Sequence, residues 1–205
     1  MYTLYHHPVS QTARRVQALL EVANLPYELN HVSFEIGQHK SIEYTSTNPN
    51  QQVPTLIDGD IKIFESNASL RYLCFKHGLD EWYPTDLSRR AAVEQWLDWG
   101  QCRLGPAVVN IVLYTVWMPE LNNTAAIQSG HDTMAILRPL LSAGLEGQDY
   151  LTGDTPTIAD ISLASSITQL GFANALPTET NIVDWMARVC EIPGVMITLP
   201  KKEAA

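Results

Sequence analysis

Cysteine is scarce in this sequence, and the few cysteines present are poorly placed for redox or metal chemistry. The chain of 205 residues has three, Cys74, Cys102 and Cys190, and none of them belongs to a CxxC pair. An odd number of widely separated thiols argues against a disulfide framework. We therefore expect reduced thiols and a cytoplasmic location.

Positive charge and long apolar runs are also in short supply. The 13 lysine and arginine residues are outnumbered by 22 acidic residues, which gives a net charge of −9. Such a balance opposes binding to nucleic acid and to anionic membranes. No apolar segment approaches the roughly 18 to 20 residues needed to cross a bilayer, and the apolar start of the chain is too short for a signal peptide. With 45% hydrophobic residues, the sequence predicts a soluble protein with a packed core.

The first part of the chain predicts an α/β domain. A strand at residues 2–5, a helix with apolar positions at helical spacing and a second strand at residues 27–32 form a βαβ unit with parallel strands. Residues 33–50 have no persistent period and predict a loop with a short irregular helix. With the hairpin and helix that follow, residues 1–78 predict the order β-α-β-loop-β-β-α.

The hairpin and the loop before it contain two informative dipeptides, Asp58-Gly59 and Val53-Pro54. Asp58-Gly59 lies between two short apolar segments and predicts a tight turn, because glycine tolerates a positive φ. Pro54 has no N–H, so it belongs at the start of the first strand, and an X-Pro bond is the kind that is cis at appreciable frequency. A cis bond here would turn the N–H and C=O groups of Val53 outward, where they can pair with an extended peptide.

The helix after the hairpin begins with a feature suited to an amino acid ligand. Ser66 is predicted to cap this helix, and Gly78 is predicted to end it. The serine hydroxyl and the free N–H groups behind it form a carboxylate site, and Glu65 lies beside that site. A free α-amino acid head carries both charges that this pair would bind. An ordinary capped helix with an exposed glutamate explains the same residues.

The second part of the chain predicts only helices. Residues 79–87 read as a linker with an aspartate cap, and residues 88–205 read as an all-α domain. Pro106 and Pro139 should each interrupt a long helix, because proline removes a hydrogen bond and clashes one turn back. Residues 201–205 read as a solvated tail.

A Thr-x-x-Asp segment predicts the start of one core helix. Thr157 can cap the helix while Asp160 reaches back to the Thr157 N–H, which is a capping box closed by aspartate instead of glutamate. A later helix is predicted from Ile182, Trp185 and Val189, which share one helical face.

These motifs together resemble one protein family. Val53-Pro54, followed eleven residues after the proline by Glu65-Ser66, resembles the glutathione site of the glutathione S-transferases. The capping box resembles the one that opens a core helix in their C-terminal domain. Two further segments resemble the theta-type branch: Gly37-Gln38-His39 and Asn48-Pro49. The resemblance implies a thioredoxin-like N-terminal domain with a mixed four-stranded sheet, an all-α C-terminal domain and a homodimer.

The resemblance implies chemistry at the thiol of bound glutathione. A free cysteine thiol has a pKa near 8.5, so lowering it by about 2 units, worth roughly 2.7 kcal/mol, makes the thiolate dominant at neutral pH. Hydrogen-bond donation and a helix N-terminus both act in this direction, and Ser10 combines the two. The segment Ser10-Gln11-Thr12-Ala13-Arg14 resembles the serine-bearing segment of theta-type transferases. This implies that the Ser10 hydroxyl is catalytic.

Alternatives to this assignment remain at the sequence level. Ser10 also fits a helix cap with no catalytic role. Tyr5 is the second candidate donor, since other branches of the family use a tyrosine near the end of the first strand, although a core aromatic fits the same position. No cysteine occupies positions 7–10, which disfavours the branches that form mixed disulfides.

Further ligand contacts are also implied by the resemblance. The backbone of Val53-Pro54 pairs with the cysteinyl unit, while Glu65-Ser66 holds the γ-glutamyl head. Candidates for the glycyl carboxylate are His39, Lys40 and Gln52. By the same resemblance, theta-type members more often have a lysine at the position of Gln52. Candidates for an electrophile pocket between the domains are Arg103, Tyr114 and Trp117.

The sequence therefore predicts a cytoplasmic glutathione transferase that conjugates small hydrophobic electrophiles, with glutathione as co-substrate and no permanently bound cofactor. Attack of the same thiolate on a peroxide oxygen would add glutathione-dependent peroxidase activity. No third ligand accompanies the adjacent pair His6-His7, so no metal site is expected. Two other classes remain open: a non-catalytic glutathione- or ligand-binding module, and a glutathione-dependent disulfide reductase or isomerase on the same fold.

Overall fold

The computed structural model describes residues 1–200, and these residues divide into two compact units. Residues 1–80 and 191–200 form the first unit, and residues 81–190 form the second. The domain and linker limits taken from the sequence stay predictions. The predicted tail at residues 201–205 lies outside the described part of the chain.

The first unit is built on a four-stranded sheet with strand order β2-β1-β3-β4. Strand β1 pairs parallel with β2 and antiparallel with β3, and β3 pairs antiparallel with β4. The predicted mixed sheet and element order are therefore confirmed. The elements up to residue 77 are β1 (Tyr2–His6), α1 (Gln11–Val22), β2 (Tyr27–His31), α2 (Ile42–Thr47), β3 (Thr55–Asp58), β4 (Ile61–Phe64) and α3 (Ser66–His77).

The core of the first unit lies between the sheet and its helices. Leu4 of β1 is paired with Leu56 of β3, and both side chains are fully buried. The apolar face of α1 supplies Val16, Leu19 and Leu20, which are also fully buried. This burial fixes which face of α1 packs on the sheet. The orientation of α1 in turn fixes the position of Ser10, its N-cap.

The hairpin turn lies one residue later than the sequence predicts. Asp58 is the last residue of β3 and pairs with Ile61, so Gly59 and Asp60 form the two-residue turn. Gly59 has a φ of 58°, which is the conformation expected of glycine at the first turn position. Asp58 stays in the strand because its carboxylate accepts a hydrogen bond from the hydroxyl of Tyr72 at 2.6 Å.

The prediction that Ser66 caps α3 is wrong. Helix α3 begins at Ser66 itself, because the Glu65 carbonyl accepts the first helical hydrogen bond, from the Ser69 N–H at 3.0 Å. Glu65 therefore occupies the cap position, with a φ of 67° and no capping bond from its side chain. The predicted helix end is confirmed, since Gly78 adopts the left-handed conformation with a φ of 62°.

The named elements of the second unit are helical, as predicted. Asp86 caps the first of them with a 2.9 Å bond from the Arg89 N–H. An isolated antiparallel bridge also joins Tyr150 and Gly153. The α-helices of this unit are α4 (Leu87–Trp99), α5 (Gly105–Val112), α6 (Thr124–Gly144), α7 (Ile158–Gln169) and α8 (Thr180–Glu191). A short helix α9 (Pro193–Met196) follows in the first unit and packs against α1.

The long helix expected before Pro106 is interrupted by a π-helical turn at Gly100–Leu104. The Gly105 N–H donates to the Gly100 carbonyl, five residues back, so the helix restarts immediately before the proline. Pro106 then occupies the first turn of α5, directly after the π-helical turn. Pro139 lies inside α6, as predicted.

The predicted capping box is confirmed at the start of α7. Asp160 accepts from the Thr157 N–H at 2.8 Å and from the Leu151 N–H at 2.9 Å. It also accepts from the indole N–H of Trp185 at 2.9 Å, which ties α7 to α8. Among the helices that lie within residues 1–200, none has the length and apolarity to cross a membrane.

Candidate glutathione site

Ser10 caps the helix that follows the first strand. Its Oγ accepts from the Ala13 N–H at 3.2 Å, and its carbonyl accepts from the Arg14 N–H at 3.0 Å. Ser10 is half-buried. The predicted cap is confirmed, and the position places a hydroxyl donor at the positive end of the α1 dipole. The catalytic role of Ser10 stays a prediction.

A second hydroxyl joins Ser10 to the loop before β3. Thr12 Oγ1 lies 2.9 Å from Ser10 Oγ and donates to the Val53 carbonyl at 3.0 Å. The Val53-Pro54 peptide bond is cis, which is the geometry that the sequence analysis considered for pairing of Val53 with a peptide. The structure thus brings together Ser10 and Val53, which are far apart in sequence, through a residue to which the sequence analysis gave no role.

The loop that carries Val53 is held by Tyr44, which the sequence analysis missed, and by Asn48, which it noted only as part of the Asn48-Pro49 segment. The Gln52 carbonyl accepts from the Tyr44 hydroxyl at 2.6 Å and from the Asn48 side-chain amide at 2.8 Å. Asn48 also donates to the Thr55 hydroxyl at 3.1 Å. Burial raises the pKa of Tyr44, so its hydroxyl stays a donor across the physiological range. The Gln52 side chain itself is exposed.

Tyr5 packs against the same loop as an aromatic side chain. Its ring centroid lies 5.5 Å from that of Tyr44, and the ring joins the small apolar cluster of Val32, Tyr44 and Val53. These contacts favour a packing role for Tyr5 over a role as thiol donor.

The start of α3 combines an anionic side chain with the backbone N–H groups of a helix N-terminus. The first N–H groups of a helix have no partner within it, and Ser66 occupies the first of these positions. Glu65 is exposed beside them, while the Arg15 guanidinium is buried and donates to Asn67 Oδ1 at 3.2 Å. Burial lowers the pKa of Arg15 to about 10, with Arg14 acting in the same direction and the Glu65 carboxylate opposing it. This corner has groups for both charges of an α-amino acid head.

An aromatic stack holds the loop that carries His39. The ring of His7 stacks on Phe34 at 4.6 Å, and Phe34 meets the edge of His39 at 4.9 Å. His39 Nδ1 is buried and has no hydrogen-bond partner within the described residues, whereas Lys40 is exposed. The base of the loop is fixed by Glu35, whose pKa is lowered to about 2 by the Ser33 hydroxyl, its own backbone and His7.

Histidines near Ser10 do not form a metal centre. His6 lies 6.0 Å from His31 between ring centroids, and burial lowers its pKa, with His31 and His7 acting in the same direction. Within residues 1–200, no group of three or more histidine, cysteine, aspartate or glutamate side chains could hold a metal ion.

The three residues predicted for an electrophile pocket lie on the π-helical turns of the second unit. Arg103 is exposed on the first turn, and Tyr114 and Trp117 lie on the second, at Leu113–Trp117. The Trp117 ring contacts Phe172 at a centroid distance of 5.1 Å. Their role toward a substrate stays a prediction.

The fold and the candidate site define a class of protein in which a thioredoxin-like domain precedes a helical domain. The family model of the glutathione S-transferase N-terminal domain matches residues 1–74, and that of the C-terminal domain matches residues 106–193. The chain is 33% identical to glutathione S-transferase 2 of Anopheles gambiae over 171 residues, which cover 82% of this chain and 79% of that protein. It is 32% identical to glutathione S-transferase GstB of Escherichia coli K12 over 199 residues, which cover 95% of this chain and 96% of that protein.

Solved structures extend this similarity to the whole fold. The theta class glutathione S-transferase of Xanthomonas axonopodis pv. citri, crystallised with glutathione bound, matches with a TM-score of 0.88 and 26% identity. The match covers 98% of each chain. The chain therefore belongs to the glutathione S-transferase family.

Proposed function

We propose that this protein transfers the thiolate of glutathione to small apolar electrophiles. The observation that carries the proposal is the Ser10 hydroxyl at the N-terminus of α1, joined through Thr12 to the Val53 carbonyl. A tripeptide paired with the Val53 backbone would bring its sulfur to this hydroxyl. Glutathione is then a co-substrate and not a permanently bound cofactor.

The site residues divide along the length of the tripeptide. Glu65 takes the γ-glutamyl ammonium, and the N–H groups at Ser66 take its carboxylate. The glycyl carboxylate lies at the other end, near His39, Lys40 and Gln52. This orientation uses the two backbone segments that the fold brings to one side of α1, the Val53 loop and the start of α3.

The Ser10 hydroxyl donates to the thiolate and so favours the ionised form. Together with the helix N-terminus, it lowers the pKa of the bound thiol by about 2 units from its value near 8.5. The thiolate then forms a bond to an electrophilic carbon, and the leaving group departs with its electron pair. We assign recognition of the electrophile to Arg103, Tyr114 and Trp117.

A titration of bound glutathione tests this mechanism. The thiolate absorbance of the complex, followed against pH, should show a pKa well below that of free glutathione. Ser10→Ala should return the titration toward the free value and lower kcat/KM by about 100-fold. Because Ser10→Ala also removes a helix cap worth about 1 kcal/mol, Ser10→Gly is the second variant, since glycine caps nearly as well. Both should lose the same activity.

A matched control removes a hydroxyl of the same unit outside the site. Ser46 donates to the Glu43 carbonyl at 2.7 Å on an exposed face of α2. Ser46→Ala should keep the wild-type rate and titration. Full conjugation by Ser10→Ala would move the thiol donor to Tyr5 or to the backbone, and an unshifted wild-type titration would leave a binding module without catalysis.

A substrate screen addresses the electrophile. Chloroarenes, alkyl halides, epoxides, isothiocyanates and hydroperoxides would each be tested with glutathione. Conjugation of the carbon electrophiles is expected, and turnover of hydroperoxides would add the peroxidase activity. Turnover of mixed disulfides alone would point to the reductase or isomerase alternative.

The assembly and the location are part of the same proposal. We expect a cytoplasmic homodimer, and exposed apolar side chains on α3 and α6 are consistent with a buried surface: Phe75 is 59% exposed, Ile136 66% and Leu140 53%. Sedimentation equilibrium should give twice the chain mass of 22.9 kDa, and cell fractionation should recover the protein with cytoplasmic markers.

A further inference from the structure

Thr12 lies between the two groups that the proposed mechanism uses, and its hydroxyl contacts both. It is half-buried in the first turn of α1, 2.9 Å from Ser10 Oγ. Its proton goes to the Val53 carbonyl, which its Oγ1 reaches at 3.0 Å. The three groups form one continuous chain of hydrogen bonds.

The direction of these hydrogen bonds follows from the number of protons that each hydroxyl can donate. A hydroxyl has one proton to donate, and the proton of Thr12 is already given to Val53. The contact between Ser10 and Thr12 must therefore be donated by Ser10. Ser10 Oγ also accepts from the Ala13 N–H at 3.2 Å. In this state the single proton of Ser10 is donated to Thr12 and is not available to a ligand sulfur.

We propose that Thr12 is a positioning residue that couples occupancy of the Val53 carbonyl to the direction of the Ser10 proton. The Val53 carbonyl has two lone pairs, so the backbone N–H of a bound cysteinyl unit shares it with Thr12 and weakens that bond. The Thr12 hydroxyl then reverses and donates to Ser10 Oγ. Ser10 then donates to the sulfur. This inference rests on the proposed function, because it requires glutathione at Val53 and its sulfur at Ser10.

The reversed chain makes Ser10 a stronger donor. A hydroxyl that accepts a hydrogen bond while donating another is polarised by it, so the bond to the sulfur strengthens. The thiol proton passes to solvent water as the thiolate forms, and no covalent bond of the protein changes. Activation of the thiol therefore depends on the backbone of the ligand, so a thiol without a cysteinyl N–H would be activated less.

Two substitutions at Thr12 separate this role from a structural one. Thr12→Val keeps the shape of the side chain and removes the hydroxyl, whereas Thr12→Ser keeps the hydroxyl. Thr12→Val should raise the pKa of the bound thiol by about half to one unit and lower kcat/KM at neutral pH by about 3- to 10-fold. Thr12→Ser should titrate as the wild type does. Thermal melts of the glutathione complex would confirm that both variants are folded.

A double-mutant cycle supplies the decisive comparison. In a Ser10→Ala background, Thr12→Val should leave the pKa of the bound thiol unchanged, because the effect of Thr12 passes through Ser10. An equal change in both backgrounds would overturn the inference, since Thr12 would then act on the thiol without Ser10. A Thr12→Val protein with the wild-type thiol pKa and weaker glutathione binding would also overturn it, because Thr12 would only tie α1 to the Val53 loop.

The failure of the proposed function would look different. If the thiol of glutathione bound to the wild type had the same pKa as that of free glutathione, the proposed transferase mechanism would be wrong. The inference about Thr12 would then be wrong as well. If the wild-type thiol is shifted and Thr12→Val matches it, only the role of Thr12 is lost.

Discussion

At the scale of single residues, His39 has a nitrogen that the fold leaves without a hydrogen bond. Its Nδ1 is buried with no partner in the described part of the chain, while Phe34 holds the ring from one edge. A buried unpaired group costs about 1 to 3 kcal/mol, so a ligand that pairs with it regains part of that cost. The glycyl carboxylate is the ligand group proposed for this end of the site.

His39→Gln should weaken the binding of glutathione without affecting a ligand that lacks glycine. We expect KM for glutathione to rise by about 5- to 10-fold with kcat nearly unchanged, as for loss of one charge-assisted hydrogen bond. KM for γ-glutamylcysteine should stay at its wild-type value. Steady-state kinetics with both thiols check this prediction.

Lys40→Gln tests the neighbouring candidate for the same carboxylate. Lys40 is adjacent in sequence but exposed, so its substitution should raise KM for glutathione less than His39→Gln does. If Lys40→Gln alone raised KM for glutathione, the carboxylate would be bound by Lys40. An equal rise for both thiols in His39→Gln would instead indicate a general disturbance of the loop.

Residues with a local signature were predictable from the sequence at this scale, whereas residues that act across the fold were not. Ser10 was found because a cap has a recognisable position before an apolar helical pattern, and Val53-Pro54 because proline restricts its own bond. Thr12 and Tyr44 were missed. Their partners, Val53 and the Gln52 carbonyl, are backbone groups whose proximity exists only after the sheet and helices have packed.

At the scale of elements, the hairpin is tied to the helix that follows it. The Asp58 carboxylate at the end of β3 accepts from the Tyr72 hydroxyl and forms an ion pair with Lys76, both on α3. The hydrogen bond from Lys76 lowers the pKa of Asp58, and Tyr72 acts in the same direction. The one-residue error in the predicted turn has the same origin, because these contacts keep Asp58 within the strand.

This pair should make stability depend on acid pH. A carboxyl whose pKa is lower in the folded state contributes stability above its unfolded pKa and loses it as the pH falls through the folded value. Asp58→Asn should therefore be less stable than the wild type at neutral pH. The difference in free energy of unfolding should shrink as the pH falls below about 4. Urea unfolding followed by far-ultraviolet circular dichroism at pH 7, 5 and 3.5 would measure it.

Asp60→Asn provides the comparison for this series. Asp60 lies in the exposed turn two residues away, so its substitution should give a small difference that does not follow this pH dependence. A difference for Asp58→Asn that is the same at every pH would contradict the prediction, because it would arise from packing and not from the carboxylate charge.

At the scale of the whole molecule, the chain leaves the first unit, builds the second and returns to the first. Residues 1–80 and 191–200 belong together, so the thioredoxin-like unit is completed by a segment from the end of the described chain. Helical periodicity predicted the helices of the second unit, but this return was not foreseen. A contact between α9 and α1 depends on the path of the chain, and a helix of four residues has no periodic signal.

The contact between α9 and α1 is close enough to exclude a single methyl group. A Cβ at Gly194 would lie 2.5 Å from the Val22 backbone nitrogen and 2.7 Å from its Cγ2. Gly194→Ala should therefore lower the free energy of unfolding by about 1 to 3 kcal/mol, through overpacking. Helix propensity alone predicts the opposite sign, since alanine is favoured over glycine by about 1 kcal/mol inside a helix.

Gly171→Ala isolates the effect of this contact. A Cβ at Gly171 would have its nearest neighbours at 3.8 to 4.0 Å, which is ordinary van der Waals contact, so stability should be unchanged or slightly higher. Thermal unfolding of the two variants should give opposite shifts from the wild type. The Gly194→Ala protein should also bind glutathione more weakly. The added methyl group would push against Val22 and shift α1, whose N-cap is Ser10. If Gly194→Ala melted as high as Gly171→Ala and bound glutathione normally, α9 would be free to move off α1, and the first unit would not depend on the returning segment.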